Sequence, residues 1–138
     1  MSIPKKLRQQ VIERANGCCE YCRIGQDDRL LSFHVDHIIP HKHRGIGDEL
    51  DNLCLACYRC NAYKSSNIAT FDPQTGNITG LFHPRKQKWE NHFRLSDNGE
   101  IEGITPEGRG TIFLLRVNDQ NRVQNRLDLI ALGHYPCR

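Results

Sequence analysis

Residues 34–64 read HVDHIIPHKHRGIGDELDNLCLACYRCNAYK, and this stretch decides the fold of the first half of the chain. Just upstream, apolar and polar residues alternate from Leu31 to Val35, which predicts a half-buried strand. The strand runs into the pair Asp36-His37 and stops near Pro40, so we expect this pair at a strand end.

A loop is predicted after this strand. Residues 41–51 include two glycines and five charged residues, which is typical of a loop. Leu53 and Leu55 then predict a short return strand, and a short helix is expected from about Tyr58 to Lys64. The predicted order is therefore strand, loop, strand, helix.

The cysteines indicate a metal site. Four of the seven form two C-x-x-C pairs, Cys19 with Cys22 and Cys57 with Cys60, and an odd total fits poorly with a pure disulfide framework. Zn²⁺ takes four tetrahedral ligands, which two such pairs supply, so structural zinc is the favoured interpretation. A set of buried thiols and a rubredoxin-like iron site are the alternatives.

The other cysteines leave the register of this site open. Cys54 and Cys57 also form a C-x-x-C, but Cys54 lies between two leucines of the expected strand, so we interpret it as a small buried residue. Cys18 is displaced from the pair spacing by one position, and Cys137 has no evident partner.

Composition narrows the class of protein without defining its partner. The 138 residues suit one compact domain or a small core with an extension, and 38% hydrophobic residues suffice for one modest core. The net charge of +3 does not by itself indicate nucleic acid. No apolar run approaches the length of a membrane span, and the C-x-x-C pairs favour metal over disulfides. We therefore expect a soluble, cytoplasmic protein with no obligate protein partner.

The N-terminal residues predict an amphipathic helix over 4–15. Ser2 is a candidate cap, Pro4 suits the first turn, and Asn16-Gly17 ends the helix. Its basic residues either meet phosphates or, as we favour, form a solvated face; they are Lys5, Lys6, Arg8 and Arg14. Beyond the first cysteine pair, a turn is expected at Asp27-Asp28-Arg29.

The second half combines turn signals with short strand and helix patterns. A turn at 72–76 precedes a short strand expected over Ile78 to Phe82. Trp89 and Phe93 lie four residues apart, which predicts a helix. A hairpin-like turn is expected at 97–99.

Two helices are predicted at the C-terminal end. Thr105-Pro106 starts a helix that Gly108 and Gly110 weaken. Asn118 is expected to cap a final helix that Gly133 ends. The core-facing residues of that final helix are expected to be Val123, Leu127 and Ile130.

The pair Asp36-His37 and two asparagines form a candidate catalytic group. Phosphodiester hydrolysis needs a base that activates water, and a neutral histidine suits that role near pH 7. His37 is the candidate base, and Asn52 is a candidate to hold the loop that orients its imidazole. Asp36 and Asn61 offer oxygen ligands, which Mg²⁺ and Mn²⁺ prefer. Each residue alone is more often structural, so the joint pattern is what indicates this chemistry.

At these residues the sequence resembles the HNH endonuclease family, whose fold is the ββα-metal (His-Me) finger. The resemblance rests on CEYC at 19–22, VDHIIP at 35–40 and DNLCLACYRCN at 51–61. It implies that His37 is the general base and that Asn52 is the middle residue of the family name. It also implies that Asp36 and Asn61 bind the catalytic ion. Asn61 stands where many members have histidine, so the chain is an H-N-N variant.

The resemblance implies an α+β fold. A ββα-metal core with the N-terminal helix and the zinc-binding pairs is expected over 1–70, followed by a mixed α/β extension over 71–138 packed on it. Three segments, FDPQTG, LFHPRKQKWENHF and GITPEGRGT, resemble an extension found in one group of bacterial HNH proteins. In the loop, His41 and His43 are extra ligands or, as we favour, merely polar.

We therefore expect a nuclease that cuts DNA, with structural Zn²⁺ on the four paired cysteines and catalytic Mg²⁺ or Mn²⁺. The expected nucleic-acid contacts are Lys64, Arg44, Arg85 and Lys86. Around Trp89, the basic residues either contact phosphates or form a solvated rim on a core tryptophan. Two rival hypotheses are a nucleic-acid-binding module that has lost cleavage and a redox or purely structural zinc protein that binds no nucleic acid.

Overall fold

A computed structural model describes residues 3–26 and 32–138, and these fold into helices and short antiparallel strand pairs, an α+β arrangement. The predictions made for Ser2, Asp27-Asp28-Arg29 and Leu31 lie outside the described residues. In chain order the elements are α1 (Lys5–Ala15), β1 (His34–His37), β2 (Leu53–Ala56), α2 (Tyr58–Lys64), β3 (Ala69–Phe71), β4 (Ile78–Gly80), β5 (Phe93–Leu95), β6 (Ile101–Gly103), α3 (Pro106–Leu114) and α4 (Gln120–Ala131).

Strands β1 and β2 carry the centre of the first half. They pair antiparallel, with Asp36 opposite Cys54 and His37 opposite Leu53, and α2 follows directly. The predicted order of strand, loop, strand and helix is therefore correct. Successive side chains of a strand point to opposite faces, and accordingly Asp36 is buried whereas His37 is half-buried.

Helix α1 is tied to this strand pair by two of its arginines. Arg8 donates to the carbonyl oxygen of Phe33 at 2.7 Å, and Arg14 donates to the carbonyl oxygens of Leu50 and Leu53. Arg14 is nevertheless exposed and Arg8 is half-buried, so these two residues remain on the solvated side of α1 while their guanidinium groups satisfy backbone acceptors of the first half.

The predicted helix around Trp89 is wrong. Trp89–Asn91 forms only a single 3₁₀ turn, and Phe93 begins strand β5, which pairs antiparallel with β6. Pairing with β6 across the predicted turn at 97–99 is more favourable here than a helix. It buries Phe93 and satisfies its backbone hydrogen-bonding groups. The expected strand at Ile78 is present as β4 and pairs with β3.

Helix α3 begins as predicted, with the hydroxyl of Thr105 accepting from the N–H of Gly108 at 3.0 Å. Gly108 has a packing role beyond its low helix propensity. A Cβ atom at this position would lie 2.1 Å from the carbonyl oxygen of His92, so only glycine lets α3 approach the β5–β6 hairpin this closely.

The predicted cap of the last helix is wrong. Asp119 occupies the cap position of α4, and the Asn118 side chain instead bonds the N–H and the carbonyl of Ile101, both at 2.9 Å. Asn118 therefore joins the segment between α3 and α4 to strand β6, because an amide side chain matches both backbone groups of one residue.

The predicted inner face of α4 is correct only in part, because Val123 and Leu127 are half-buried. Its most buried residues are Arg122, Arg126 and Leu129, whereas Ile130 is 38% exposed. Arg126 donates to the backbone oxygens of Gly99 and Val117, each at 2.8 Å, so the burial of its guanidinium is compensated by hydrogen bonds.

Both halves of the chain contribute to one continuous apolar cluster, which includes Val11, Leu55, Phe82, Phe93 and Leu115. The predicted boundary between residues 70 and 71 falls inside β3. Within 3–26 and 32–138, no helix combines the length and apolar character that a membrane crossing requires.

Candidate metal centre and active site

The two C-x-x-C pairs meet in the interior. Cys19, Cys22, Cys57 and Cys60 are all buried, and their sulfur atoms all lie within 4.8 Å of one another. The sulfurs of Cys22 and Cys57 are 3.7 Å apart. Sulfurs placed about 2.3 Å from a tetrahedral zinc ion are separated by roughly 3.8 Å. The cluster therefore fits a tetrahedral metal ion of that size, and its four protein ligands would leave no open position.

Local backbone structure positions both pairs. The sulfur of Cys19 accepts from the N–H of Cys22 at 3.4 Å, and the sulfur of Cys57 accepts from the N–H of Cys60 at 3.5 Å. Cys57 is also the N-cap of α2, where the positive end of the helix dipole favours a thiolate.

The thiols of the cluster differ in their pKa values. Burial raises the pKa of the Cys19 thiol well above its ordinary value. Hydrogen bonds with neighbouring thiols, with that of Cys19 contributing most, hold the pKa of Cys22 well below its ordinary value. Since a metal binds thiolates, loading the cluster would release the protons that remain on it.

Arg122 of α4 contacts the cluster from the second half of the chain, a contact that no local sequence pattern predicts. Its guanidinium donates to the sulfur of Cys60 at 3.1 Å and lies 3.8 Å from that of Cys57. The other end of the guanidinium donates to the carbonyl of Leu115 at 2.7 Å. Four thiolates around a divalent ion carry a net charge of −2, so a buried arginine offsets part of that charge.

Cys54 lies apart from the cluster, as we interpreted it. It is fully buried, and its sulfur is 3.5 Å from the hydroxyl of Tyr21 and 3.6 Å from a carboxylate oxygen of Asp36. Burial raises the pKa of its thiol well above the ordinary value, so Cys54 stays protonated beside Asp36.

Cys18 and Cys137 form a disulfide, so Cys137 does have a partner. The C-terminal residues are fixed further by Tyr135, whose hydroxyl donates to the carbonyl of Cys22 at 2.6 Å. The expectation of a cytoplasmic location rested partly on the cysteines favouring metal over disulfides. The disulfide between Cys18 and Cys137 does not support a cytoplasmic location, because disulfides are rare in the cytosol.

Asp36 is buried and already has a cationic partner. The ammonium of Lys64 lies 3.1 Å from one carboxylate oxygen and 3.2 Å from the other, and the hydroxyl of Tyr21 donates at 2.8 Å. Lys64 is only 1% exposed, and it also donates to the carbonyl of His37 at 3.1 Å. This placement disagrees with the prediction that Lys64 contacts nucleic acid, because its ammonium is buried and already paired with Asp36.

Asp36 and Asn61 therefore do not fit a divalent ion in this arrangement. The Lys64 ammonium supplies the positive charge that an ion on Asp36 would supply, and Asn61 is half-buried one turn earlier on α2. In the described part of the chain, the four cysteines are the one group of three or more Cys, His, Asp or Glu side chains placed to hold a metal.

His37 lies on the opposite face from Asp36, at the end of β1. Its side chain is 34% exposed, and Nε2 is 2.7 Å from a carboxylate oxygen of Asp48. No hydrogen bond from the described residues reaches Nδ1, so this nitrogen is open to solvent or substrate. Sequence reasoning missed Asp48, because one acidic residue in a charged loop carries no distinguishing signal.

Asn52 closes the loop next to His37. Its amide nitrogen donates to the carbonyls of Ile39 and Gly47, at 2.9 and 3.1 Å, and its amide oxygen accepts from the N–H of Ile39 at 2.9 Å. Asn52 is 2% exposed. These bonds join the two ends of the loop, which is the kind of contact predicted for this residue.

The other predicted contacts have mixed surroundings. Arg44 and Lys86 are exposed, whereas Arg85 forms an ion pair with Glu20. His41 is exposed, and Nε2 of His43 lies 3.0 Å from the carbonyl of Ser66. Trp89 donates to the carbonyl of Tyr21 at 2.8 Å and packs against the apolar cluster, which supports its interpretation as a core residue.

Comparison with known proteins identifies the class of this site. Residues 19–67 match the family model of HNH endonucleases. The match begins at Cys19, the first cysteine of the cluster, and ends after α2, so it contains the cluster, Asp36, His37, Asn52 and Asn61. The resemblance to the HNH family is confirmed for this segment. No curated protein and no solved structure matches the chain.

Proposed function

We propose that the chain is a zinc-stabilised HNH endonuclease that hydrolyses phosphodiester bonds of DNA, with His37 as the general base. The observation that carries this proposal is the setting of His37. It lies at a strand end inside the matched segment, with Nε2 bonded to Asp48 and the imidazole one-third exposed. We include in the proposal that β1, β2 and α2 form a ββα-metal core over 1–70 and that 71–138 is an extension packed on it.

In this mechanism, Nδ1 of His37 takes a proton from a water molecule. The resulting hydroxide attacks the scissile phosphorus in line, the bond from phosphorus to the 3′-oxygen breaks, and this oxygen takes a proton from solvent water. A neutral histidine suits this role near pH 7, because the ordinary pKa of an imidazole lies close to that pH. Asn52 contributes by holding the loop, and the Lys64 bond to the His37 carbonyl fixes the backbone of the base.

The ion on the cysteine cluster is proposed to be Zn²⁺ with a structural role. The spacing of the sulfurs suits that ion, and the cluster has no room for a substrate ligand. Arg122, together with the two pairs, links α4, α2 and the N-terminal residues through this one centre.

Dependence on Mg²⁺ or Mn²⁺ stays a prediction from the family resemblance. Asp36 and Asn61, the expected ligands, do not fit the ion as they are arranged, so no step of the mechanism is assigned to it. DNA is the proposed partner, and the exposed Arg44 and Lys86 are the predicted contacts that remain available to phosphates.

A second candidate is a zinc-stabilised module that binds nucleic acid without cutting it. The pair between Asp36 and Lys64 favours this alternative, because it closes the predicted ion site. His37 and Asp48 favour cleavage, because a binding module has no need of an oriented imidazole on its surface.

A plasmid-nicking assay on zinc-loaded protein tests the proposal. Supercoiled DNA is incubated with the protein in Mg²⁺, in Mn²⁺ or in EDTA, and DNA binding is measured in parallel by mobility shift. We expect nicking in at least one divalent ion. Binding without nicking in every condition would support the second candidate, and neither binding nor nicking would support a purely structural zinc protein.

A further inference from the structure

Asp48 lies in the loop between β1 and β2, and its Oδ1 is 2.7 Å from Nε2 of His37. We propose that Asp48 is a positioning residue, which sets both the orientation and the tautomer of His37. This inference deepens the proposed function, on which its effect on cleavage rests. The bond itself can be tested whether or not the protein cuts DNA.

The chemistry follows from the two partners. An ionised carboxylate can only accept a hydrogen bond, so its contact with Nε2 requires that Nε2 carries the proton. In the neutral imidazole the other nitrogen, Nδ1, then keeps its lone pair. Since Nδ1 has no hydrogen-bond partner among the described residues, Asp48 leaves the free nitrogen as the one that accepts a proton from water.

The backbone around Asp48 is fixed on both sides by one buried residue. The Asn52 side chain donates to the carbonyl of Gly47, and the Asn52 N–H donates to the carbonyl of Glu49 at 2.8 Å. Gly47 has a φ of +70°, a conformation that favours glycine. Asn52 thus acts on His37 through Asp48, and this gives the middle residue of the HNH name a specific role in this chain.

The bond is a poor candidate for a purely stabilising contact. The Asp48 side chain is 45% exposed and that of His37 is 34% exposed, and exposed ion pairs contribute little to stability. We therefore expect that loss of Asp48 changes the base and leaves the free energy of unfolding almost unchanged.

The first experiment compares Asp48→Ala, Asp48→Asn and the matched control Glu49→Gln in the nicking assay. We expect Asp48→Ala to lower kcat about 10- to 100-fold, the loss of one hydrogen bond to a charged group, with KM and zinc content unchanged. Asp48→Asn should recover part of this loss, because its amide oxygen can still accept from Nε2. Glu49→Gln removes a neighbouring exposed charge and should retain full activity.

The second experiment measures the tautomer directly. The ¹⁵N shifts of the His37 imidazole are recorded at a pH where the ring is neutral and assigned by comparison with His37→Gln. In the parent, Nε2 should show the shift of a protonated nitrogen and Nδ1 that of an unprotonated one. In Asp48→Ala the two shifts should move toward each other as the second tautomer gains population.

The two readouts separate this proposal from the nuclease assignment. If the parent cuts no DNA but Asp48→Ala still changes the shifts of His37, the positioning role stands and the nuclease function fails. Unchanged shifts in Asp48→Ala overturn the positioning role, whatever the nicking assay shows. Equal losses of activity in Asp48→Ala and Glu49→Gln also overturn it, because they would show a general effect of loop charge.

Discussion

The guanidinium of Arg122 on α4 donates to the sulfur of Cys60 on α2 across 3.1 Å, although the two residues are 62 positions apart in the sequence. The contact joins the second half of the chain to the cysteine cluster of the segment that matches the HNH family model. Arg122 is buried, and four thiolates around a divalent ion would be anionic, so α4 would supply part of the countercharge for the cluster.

Arg122→Met tests this link. Removing hydrogen bonds from a buried guanidinium to thiolates and backbone carbonyls should cost about 3 kcal/mol of unfolding free energy. Zinc should also transfer faster to a chromophoric chelator. Arg94→Met is the matched control, because Arg94 forms an exposed pair with Glu102 and should cost under about 1 kcal/mol. Equal urea-unfolding curves for the two variants would contradict the role of Arg122.

The metal register predicts which cysteines matter. Cys22→Ser or Cys57→Ser should give insoluble or molten protein, because metal binding and folding free energy are linked at such sites. Cys54→Ala should fold and keep its zinc, since its sulfur contacts Tyr21 and Asp36 instead of the cluster. Elemental analysis of the purified variants checks both expectations. Well-folded parent protein without zinc, or zinc lost from Cys54→Ala, would show that the assignment of ligands is wrong.

Lys64 is predicted to be essential for stability. Lys64→Met leaves the Asp36 carboxylate buried without a countercharge, which should cost about 3–5 kcal/mol in a denaturant titration. The double variant Asp36→Asn with Lys64→Met should recover most of this loss, because no buried charge remains. Lys86→Met is the exposed control and should change stability by no more than about 0.5 kcal/mol. A Lys64→Met protein as stable as the parent would show that the ion pair does not form.

The metal centre and the strand–helix order could be predicted because their signals are local. Each signal lies within a few residues of sequence: the C-x-x-C spacing, the alternation of apolar and polar residues before Asp36, and the alternating leucines after the loop. The role of Lys64 could not be predicted in this way. A lysine near the end of an amphipathic helix is usually exposed, and only the position of Asp36 on the neighbouring strand explains its burial.

The errors in the second half have a common cause, which is competition from distant partners. Trp89 and Phe93 have helical spacing, but Phe93 pairs with Gly103 in a hairpin. The apolar periodicity of α4 places Arg122 on the solvent side, yet its guanidinium is buried and donates to the sulfur of Cys60. Cys18 finds Cys137 across a separation of 119 residues, a pairing that no local pattern defines.

The ion pair between Asp72 and Arg109 predicts acid sensitivity of the second half of the chain. Arg109 donates to both carboxylate oxygens, at 3.0 and 2.8 Å, and these bonds hold the pKa of Asp72 well below its ordinary value. A carboxyl with a depressed pKa contributes stability that is fully present above its unfolded pKa of about 3.9 and is lost as the pH falls below it. Asp72→Asn should therefore flatten the fall of Tm between pH 5 and pH 2. Arg109→Gln should flatten it similarly, and an unchanged slope in both would contradict the contribution of this pair.

His37→Ala is the most direct test of the nuclease proposal. Removal of a general base typically costs about 10²- to 10⁴-fold in rate, so we expect nearly all plasmid nicking to be lost. Folding, zinc content and DNA affinity should stay close to those of the parent. His37 is a partly exposed residue away from the cluster, and affinity for DNA comes largely from Lys and Arg contacts to phosphates. His41→Ala and His43→Ala are the matched controls, two histidines of the adjoining loop that should retain most activity. Nicking by His37→Ala at the parent rate, or a dead His43→Ala with an active His37→Ala, would place the base elsewhere and remove the catalytic role of the His37–Asp48 pair.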